Sequence, residues 1–304
     1  MPCCRQSGPG VPRHPGRVSR SKRITIVSLY GLACQVGRGS LGMRRVGVPP
    51  GGPWDPFSMA VGNALVGNDL GASSIELGMA QLDADVAQEG WLGLAGRGHR
   101  ATLDGRVLDL SRATWAKEGA RLKVQAKGHG CWAYLTAPGG WCPGATLASG
   151  GQAQSAVRRS VGALRELGCY AGQSPSRVVK ATGLTHGFKS LTVSSMMSRA
   201  GIRLMGAGSP GEGGLPSRPV TLGTIQKTPD GTLIVVGPAG PTLGGYEVAG
   251  TMCLASLPDL SQAPPGETLE VETVELEDAW NKTTIWWKHL LQEHERLGKL
   301  SVRC

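Results

Sequence analysis

The stretch GVPPGGPWDPFSMAVGNALVGN, residues Gly47 to Asn68, joins a glycine-rich turn to an apolar helical pattern. From Phe57 onward, apolar residues recur at i, i+3, i+4, i+7 and i+8, which predicts one buried helix face. Asp55 stands at the N-cap position, and Pro56 suits the first helical position. Gly67-Asn68 is a typical helix end. The stretch therefore predicts a short capped helix that begins directly after a tight turn.

Short strand-like runs dominate the rest of the chain. The 304 residues include 47 glycines spread between these runs, without the strict period of collagen. Asp104-Gly105 and Asp230-Gly231 each stand between two such runs and predict β-hairpins. A further helix is predicted within residues 156–167. We therefore predict a mainly β protein with a few short helices.

The C-terminal segment has a different pattern from the strand-rich body. Its apolar-leaning residues recur at helical spacing and predict a helical tail over residues 280–304. That tail docks either on its own body or on another subunit. The predicted face consists of Trp287, Leu290, Leu291, His294 and Leu297.

Charge and cysteine usage exclude several classes of function. The net charge is +10, but residues 1–23 hold six basic residues and no acid, so they predict a disordered basic tail. A nucleic-acid-binding function would depend on this tail alone, and we expect none. No apolar run approaches a membrane span. The eight cysteines form no C-x-x-C pair, so we expect no metal site and a cytoplasmic location with reduced thiols.

Three sequence blocks, in order and at suitable spacing, resemble the biotin-dependent carboxyltransferase family. The first is the opening stretch followed by Glu76 in IELG, and the second is SRAGIRLMG, Ser198–Gly206. The third, Gly223–Leu269, begins GTIQKTPDGTLIVVG and contains LGGYEVAG. This family includes the C-type subunit of 5-oxoprolinase, allophanate hydrolase subunit 2 and the antagonist of the sporulation-kinase inhibitor. The resemblance runs from about Ile24 to Leu276.

The resemblance implies both a fold and a way of working. Members have cyclophilin-like β-barrel domains, here an N-terminal β-rich domain at 24–137 and a C-terminal cyclophilin-like domain at 138–279. They act with a related barrel subunit, which in 5-oxoprolinase is the B-type subunit, on a small amide-like substrate. In the 5-oxoprolinase system, this pair works with an amidohydrolase-type subunit to couple ATP hydrolysis to the opening of 5-oxoproline. ATP is therefore expected as a cofactor of the complex.

The polar residues of the matching blocks are compatible with such a substrate. Gly-Gly loops let backbone N–H groups approach a carboxylate, and arginines bind one in bidentate fashion. Glutamine and asparagine amides match an amide edge, and an aspartate accepts or orients a proton. The predicted catalytic residues are Arg38 and Asp55, and the predicted substrate-binding residues are Gln35, Gly51, Gly52, Asn63, Arg203, Gln226, Gly244, Gly245 and Tyr246.

Structural roles compete with several of these assignments. Asp55 caps a helix, faces a site, or does both, and the Gly-Gly pairs are also common in tight turns. Glu76 is expected to pair with an arginine inside the fold. The chain departs from the family at Gln35-Val36-Gly37-Arg38 and at residues 237–243, where an acid is usual and none is present. After Gly150-Gly151 the usual arginine pattern is also missing.

Two functions therefore stay open. The first is an ATP-dependent 5-oxoprolinase-type subunit that processes a small amide or lactam with a partner barrel. The second is a non-catalytic regulatory subunit of the same family that binds a partner protein.

Overall fold

The structure is a computed structural model that describes residues 24–40, 42–110, 112–128, 130–142, 146–147, 178–185 and 187–301. The predicted basic tail, residues 1–23, and the helix predicted within 156–167 lie outside the described residues. The described part is mainly β, as predicted, and it consists of a sheet, a closed barrel and a C-terminal helix.

The first half of the chain forms one eight-stranded sheet. Its strands are β1 Ile24–Val36, β2 Ser74–Val86, β3 Gly90–Gly96, β4 His99–Leu103, β5 Arg106–Val107, β6 Thr114–Ala116, β7 Arg121–Ala126 and β8 Trp132–Thr136. The order is β5-β4-β7-β2-β8-β3-β6, and β1 pairs antiparallel with β2 over nearly its whole length. β9 Trp141–Cys142 and β10 Thr146–Leu147 form a separate ribbon.

The second half closes into a seven-stranded barrel with the order β11-β18-β15-β16-β13-β12-β19. Parallel pairing of β19 with β11 closes it, whereas the other barrel pairs are antiparallel. β14 and β17 form a short ribbon outside the barrel. The strands are β11 Val178–Thr182, β12 Ser190–Met197, β13 Gly201–Met205, β14 Arg218–Pro219, β15 Thr224–Lys227, β16 Leu233–Val236, β17 Leu243–Gly244, β18 Glu247–Met252 and β19 Thr268–Thr273.

Three α-helices complete the described residues: α1 Pro56–Leu65, α2 Leu257–Gln262 and α3 Leu276–Ser301. Short 3-10 turns occupy Met43–Val46 and Leu254–Ser256. The capped helix is confirmed, because Asp55 Oδ1 accepts a hydrogen bond from Ser58 N at 3.0 Å. In the described part of the chain, no helix is long and apolar enough to cross a membrane.

Both predicted hairpins are present. Asp104 and Gly105 have φ angles of 49° and 78°, which match the left-handed pair of a type I′ turn between β4 and β5. Asp230-Gly231 lies in the turn that joins β15 to β16. The local turn chemistry therefore set these two registers as predicted.

The sheet and the barrel share one hydrophobic core. Trp54, Trp132 and Tyr134 of the first half are buried in the same cluster as the inward residues of the barrel strands. The rings of Trp54 and Trp132 lie 6.4 Å apart, centroid to centroid. Gly237, from the barrel half, lies against the Trp54 ring, where a β-carbon would approach the ring to 2.5 Å. This shared core fixes the loops that carry the predicted site residues.

Candidate functional site

The junction between sheet and barrel contains a fully buried carboxylate, that of Glu76. Its Oε2 accepts hydrogen bonds from Trp54 N at 2.8 Å and from Tyr134 Oη at 2.7 Å. Arg199, from the turn between β12 and β13, pairs with Glu76 Oε1 and also donates to Gly52 O at 2.6 Å. The predicted pairing of Glu76 with an arginine is confirmed. This ion pair holds the Gly51-Gly52 loop against the barrel.

Asp55 is buried beside this ion pair and has several partners. Beyond its cap to Ser58 N, its Oδ2 accepts from Ser58 Oγ at 2.6 Å and from Gln262 Nε2 at 2.9 Å. Gln262 Oε1 in turn accepts from the backbone N–H groups of Cys131 and Trp132, each at 3.0 Å. Asp55 thus links α1 to α2 and to β8. Its catalytic role stays a prediction.

Burial shifts several pKa values in this network. It raises the pKa of the Glu76 carboxyl above its ordinary value, although Arg199 and the hydrogen bonds oppose the shift. Burial also raises the pKa of the Cys34 thiol to about 11, where Sγ lies 3.8 Å from Glu76 Oε1. The pKa of Tyr134 is raised because it is fully buried beside two carboxylates. In each of these three groups, burial is the main cause of the raised pKa.

The first predicted glycine loop contacts the segment that precedes the second one. Gly51 N donates to Pro238 O at 2.8 Å, and Arg44 Nη2 donates to Thr242 O at 3.5 Å. Gly51 and Gly52 have φ angles of 64° and 82°, which glycine adopts without strain. Residues 49–52 therefore lie against the segment that leads into Gly244.

Gln226 lies directly beneath this segment. Its side chain on β15 is only 4% exposed, and a β-carbon at Gly244 would overlap Gln226 Nε2. Within the described residues, Gln226 Nε2 is buried and donates to no acceptor. A buried amide N–H group without a partner is costly, and native structures contain few of them. The contact joins two of the predicted substrate-binding residues.

A second unpartnered donor, on Arg44, belongs to a side chain that contacts the segment leading into Gly244. Arg44 Nη1 is buried and, within the described residues, also donates to no acceptor. Arg44 contacts Thr242, two residues before Gly244, which is at most about 7 Å of extended chain. Tyr246, 41% exposed, follows on the surface. Arg44, Gln226 and the Thr242–Tyr246 segment are called the donor loop site below.

The other predicted residues do not meet at the donor loop site. Gln35 Nε2 donates to Ser73 Oγ at 2.6 Å and to a backbone carbonyl, and Asn63 Nδ2 donates to Ala72 O at 2.8 Å. Arg38 is exposed and packs over Gly71. Arg203 lies on β13, opposite Ile234. Gln35 and Asn63 therefore brace the loops of the first half, and the two arginines belong to different halves of the fold.

Sequence reasoning missed four residues of this region: Arg44, Arg199, Lys227 and Gln262. Lys227 follows Gln226 on β15, is 1% exposed and donates from Nζ to Ser209 Oγ at 2.7 Å. A lysine is rarely so buried, and its place beside Gln226 in the block GTIQK was the available signal. Arg44 precedes the first glycine loop in the sequence, and no pattern tied it to Thr242.

The described residues were also compared with two other kinds of site, a metal site and a surface groove. Among the described residues, no group of three or more His, Cys, Asp or Glu side chains is placed to hold a metal ion. The groove, of about 750 Å³, runs between β11, β12 and β19, and its lining includes Lys189, Glu270 and Glu272. None of the predicted site residues lines this groove.

Comparison with known proteins identifies the fold and the family. The solved structure of the urea amidolyase of Kluyveromyces lactis matches with a TM-score of 0.69 at 18% identity, over 90% of this chain and 20% of that one. At that identity the match supports the fold alone. The C-type 5-oxoprolinase subunit of Escherichia coli K12 is 33% identical over 102 residues, which are 34% of this chain and 33% of that protein. That of Haemophilus influenzae is 24% identical over 79% of this chain and 88% of its own length.

The family model "Carboxyltransferase domain, subdomain A and B" matches residues 46–172 and 151–273. Because these ranges cover most of the chain, the chain belongs to this carboxyltransferase domain family. The match to the E. coli relative spans about a third of that relative's length.

Proposed function

We propose that this chain is a subunit of an ATP-dependent, 5-oxoprolinase-type complex that processes a small amide or lactam together with a related barrel subunit. Family membership and the two relatives named as 5-oxoprolinase subunits support this proposal. The observation that carries it is the buried, unpartnered Gln226 Nε2 beneath Gly244, within the residues that the structure describes.

A primary amide suits a lactam or amide substrate. The Nε2 group of Gln226 donates to a substrate carbonyl, and its Oε1 accepts from a substrate N–H, so one side chain matches both sides of an amide edge. Arg44 adds a charged donor for a carboxylate, if the substrate carries one. Gly244 and Gly245 have no side chains, so only backbone atoms of this segment lie against the buried amide.

Proton transfer and ATP chemistry are assigned to the complex. Asp55 and Glu76 are the two fully buried carboxylates of this region, and both are bound by several donors. A general base needs a free lone pair directed at the substrate. In this proposal, the chain binds and orients the substrate, while the partner subunits supply the reactive acids and the ATP site.

The hydrogen bonds that occupy the Asp55 and Glu76 carboxylates also favour a second candidate function. A subunit without a free acid at its site suits a regulatory role, in which the chain binds a partner protein and turns over no substrate. The two functions differ in whether the donor loop site affects turnover.

The test is an assay of the reconstituted complex. The full chain is combined with its related barrel subunit and an amidohydrolase-type subunit, and ATP-dependent release of glutamate from 5-oxoproline is measured. Gly244→Ala places a methyl group against Gln226 Nε2 and is expected to reduce turnover at least tenfold. Gly187→Ala is the matched control, because its β-carbon meets nothing within 4 Å.

Two results would contradict the proposal: the first rejects the enzyme function, and the second rejects the donor loop site as the place where the substrate binds. One is a complex that assembles but releases no glutamate, which would favour the regulatory subunit. The other is full turnover by Gly244→Ala, which would place the substrate elsewhere.

A further inference from the structure

The C-terminal helix α3 has two apolar sides with different surroundings. Its body side includes the buried Ala279, and the helix packs on the 3-10 turn Leu254–Ser256 and on β11. Thr283 Oγ1 donates to Ala279 O within the helix at 2.9 Å. These contacts fix which face of α3 is turned away from the body.

An exposed apolar stripe, called the α3 stripe, lies beside the body side. It consists of Leu276, Trp280, Trp287 and Leu291, all exposed. At 100° per residue, these four positions fall within about 60° of one another around the helix axis. Trp280 is 72% exposed, which is unusual for so large an apolar side chain. Apolar stripes of this kind on a protein surface mark interaction sites.

The spacing of the α3 stripe is the same in both directions. Its members are separated by four, seven and four residues. In an antiparallel pair of such helices, Leu276 of each copy therefore lies opposite Leu291 of the other, and Trp280 of each copy lies opposite Trp287 of the other. The centre of this register lies between Thr283 and Thr284, where a two-fold axis would pass.

We propose that the α3 stripe binds the α3 stripe of a second copy of this chain, in an antiparallel helix pair. The contact is isologous, because each copy supplies the same surface. Two tryptophan–tryptophan contacts lie near its centre, and a leucine pair lies at each end. Aromatic residues at the centre of a patch are the usual energetic anchors of an interface.

Charge on one flank of the stripe matches this register. Glu277 and Lys288 are both exposed and lie within about 20° of each other around the helix, on the side of the stripe away from Ala279. In an antiparallel pair this flank faces the same flank of the other copy, so Glu277 of each copy lies near Lys288 of the other. In a parallel pair the flank would face the opposite flank, and the two charges would not meet. The flank therefore favours a second copy in the antiparallel orientation.

The test is the oligomeric state of the full chain, measured by sedimentation equilibrium across a concentration series. The wild type is expected to form a dimer. Trp280→Glu is expected to raise the dimer dissociation constant roughly 30-fold or more, as for a central anchor. Ile285→Glu is the matched control, because Ile285 is 54% exposed on the opposite side of α3. Far-ultraviolet circular dichroism checks that both variants fold.

Charge reversal tests the orientation. Glu277→Lys and Lys288→Glu alone are each expected to weaken the dimer, and the double variant is expected to restore it. A chain that stays monomeric at every concentration would overturn the proposal. So would a dimer that Trp280→Glu leaves unchanged, or a stripe that only the related barrel subunit protects. Failure here leaves the proposed 5-oxoprolinase function untouched, because the donor loop site contains no residue of α3.

Discussion

Two buried glutamines illustrate the difference between the junction and the donor loop site. Gln262 is fully buried, accepts from two backbone N–H groups and donates from Nε2 to Asp55 Oδ2 and to Trp132 O, both at 2.9 Å. Gln226 is nearly as buried, yet within the described residues its Nε2 donates to nothing. A glutamine side chain thus links several elements by hydrogen bonds at position 262, whereas at position 226 its amide N–H₂ group has no acceptor among the described residues.

The difference separates structural polar groups from groups available to a ligand. A buried polar group with all its partners adds specificity to the packing, whereas an unpaired one costs free energy in every folded molecule. A chain retains that cost where the donor has another use. Glu76, Asp55 and Gln262 hold the two halves together, and we propose that Gln226 and Arg44 bind a ligand.

The largest expected effect is at the junction ion pair. Arg199→Met removes the partner of the buried Glu76 and is expected to lower the free energy of unfolding by about 3–5 kcal/mol. Denaturant titration measures it. Arg121→Met is the control, since Arg121 pairs with Asp83 and Asp85 near the surface, where solvent screens the ion pair, and its loss should be much smaller. Equal losses in both variants would contradict the structural importance of the junction.

Asp55→Asn is expected to have an intermediate effect. As a cap alone, Asp55 would tolerate this change, because Asn caps about as well as Asp. In the structure, however, Asp55 Oδ2 also accepts a hydrogen bond from Gln262 Nε2. In Asp55→Asn, an amide N–H₂ group in place of Oδ2 would face this donor, and one of the two donors would have no acceptor. The expected loss is about 1–3 kcal/mol, measured by thermal or chemical unfolding. An unchanged free energy of unfolding would show that the Gln262 contact contributes nothing.

A smaller, pH-dependent effect is expected from Glu76. Burial raises the pKa of Glu76 above its ordinary value of 4.5. Between pH 4.5 and the folded-state pKa, the carboxyl therefore keeps a proton in the folded state that it has lost in the unfolded state. That stabilising contribution is fully present below pH 4.5 and is lost as the pH rises through the folded-state pKa. Glu76→Gln should lack this fall. Parallel slopes of unfolding free energy against pH in the two proteins would contradict the shift.

Much of the fold was predictable because its signals are local. Asp55, Pro56 and the apolar spacing define α1 within one stretch, and Asp104-Gly105 defines a hairpin by its own backbone preference. The parallel closure of β19 on β11 was not predictable, because it joins segments about 90 residues apart that no local pattern links. The family resemblance, not periodicity, supplied the expectation of a barrel.

The site was only partly predictable for the same reason. Gln226, Gly244 and Tyr246 were identified from the matching blocks, but nothing in the sequence showed that Gly244 covers the Gln226 amide. Glu76 was expected to pair with an arginine, yet the partner Arg199 lies 123 residues away along the chain. Arg44 was missed because a lone arginine near a glycine loop carries no chemical signature.

The central claim is that the described residues give the Gln226 amide N–H₂ group no partner, whereas they give the Gln262 amide several. The most direct test is the free energy of unfolding of Gln226→Met and Gln262→Met. Methionine keeps a similar unbranched shape and removes the amide. Gln262→Met leaves the N–H groups of Cys131 and Trp132 unpaired. It is expected to lower the free energy of unfolding by at least about 3 kcal/mol, because each unpaired buried group costs about 1–3 kcal/mol. Gln226→Met is expected to leave the free energy of unfolding unchanged or slightly higher. A comparable loss at Gln226 would contradict the account, because it would mean that this amide already has a structural partner.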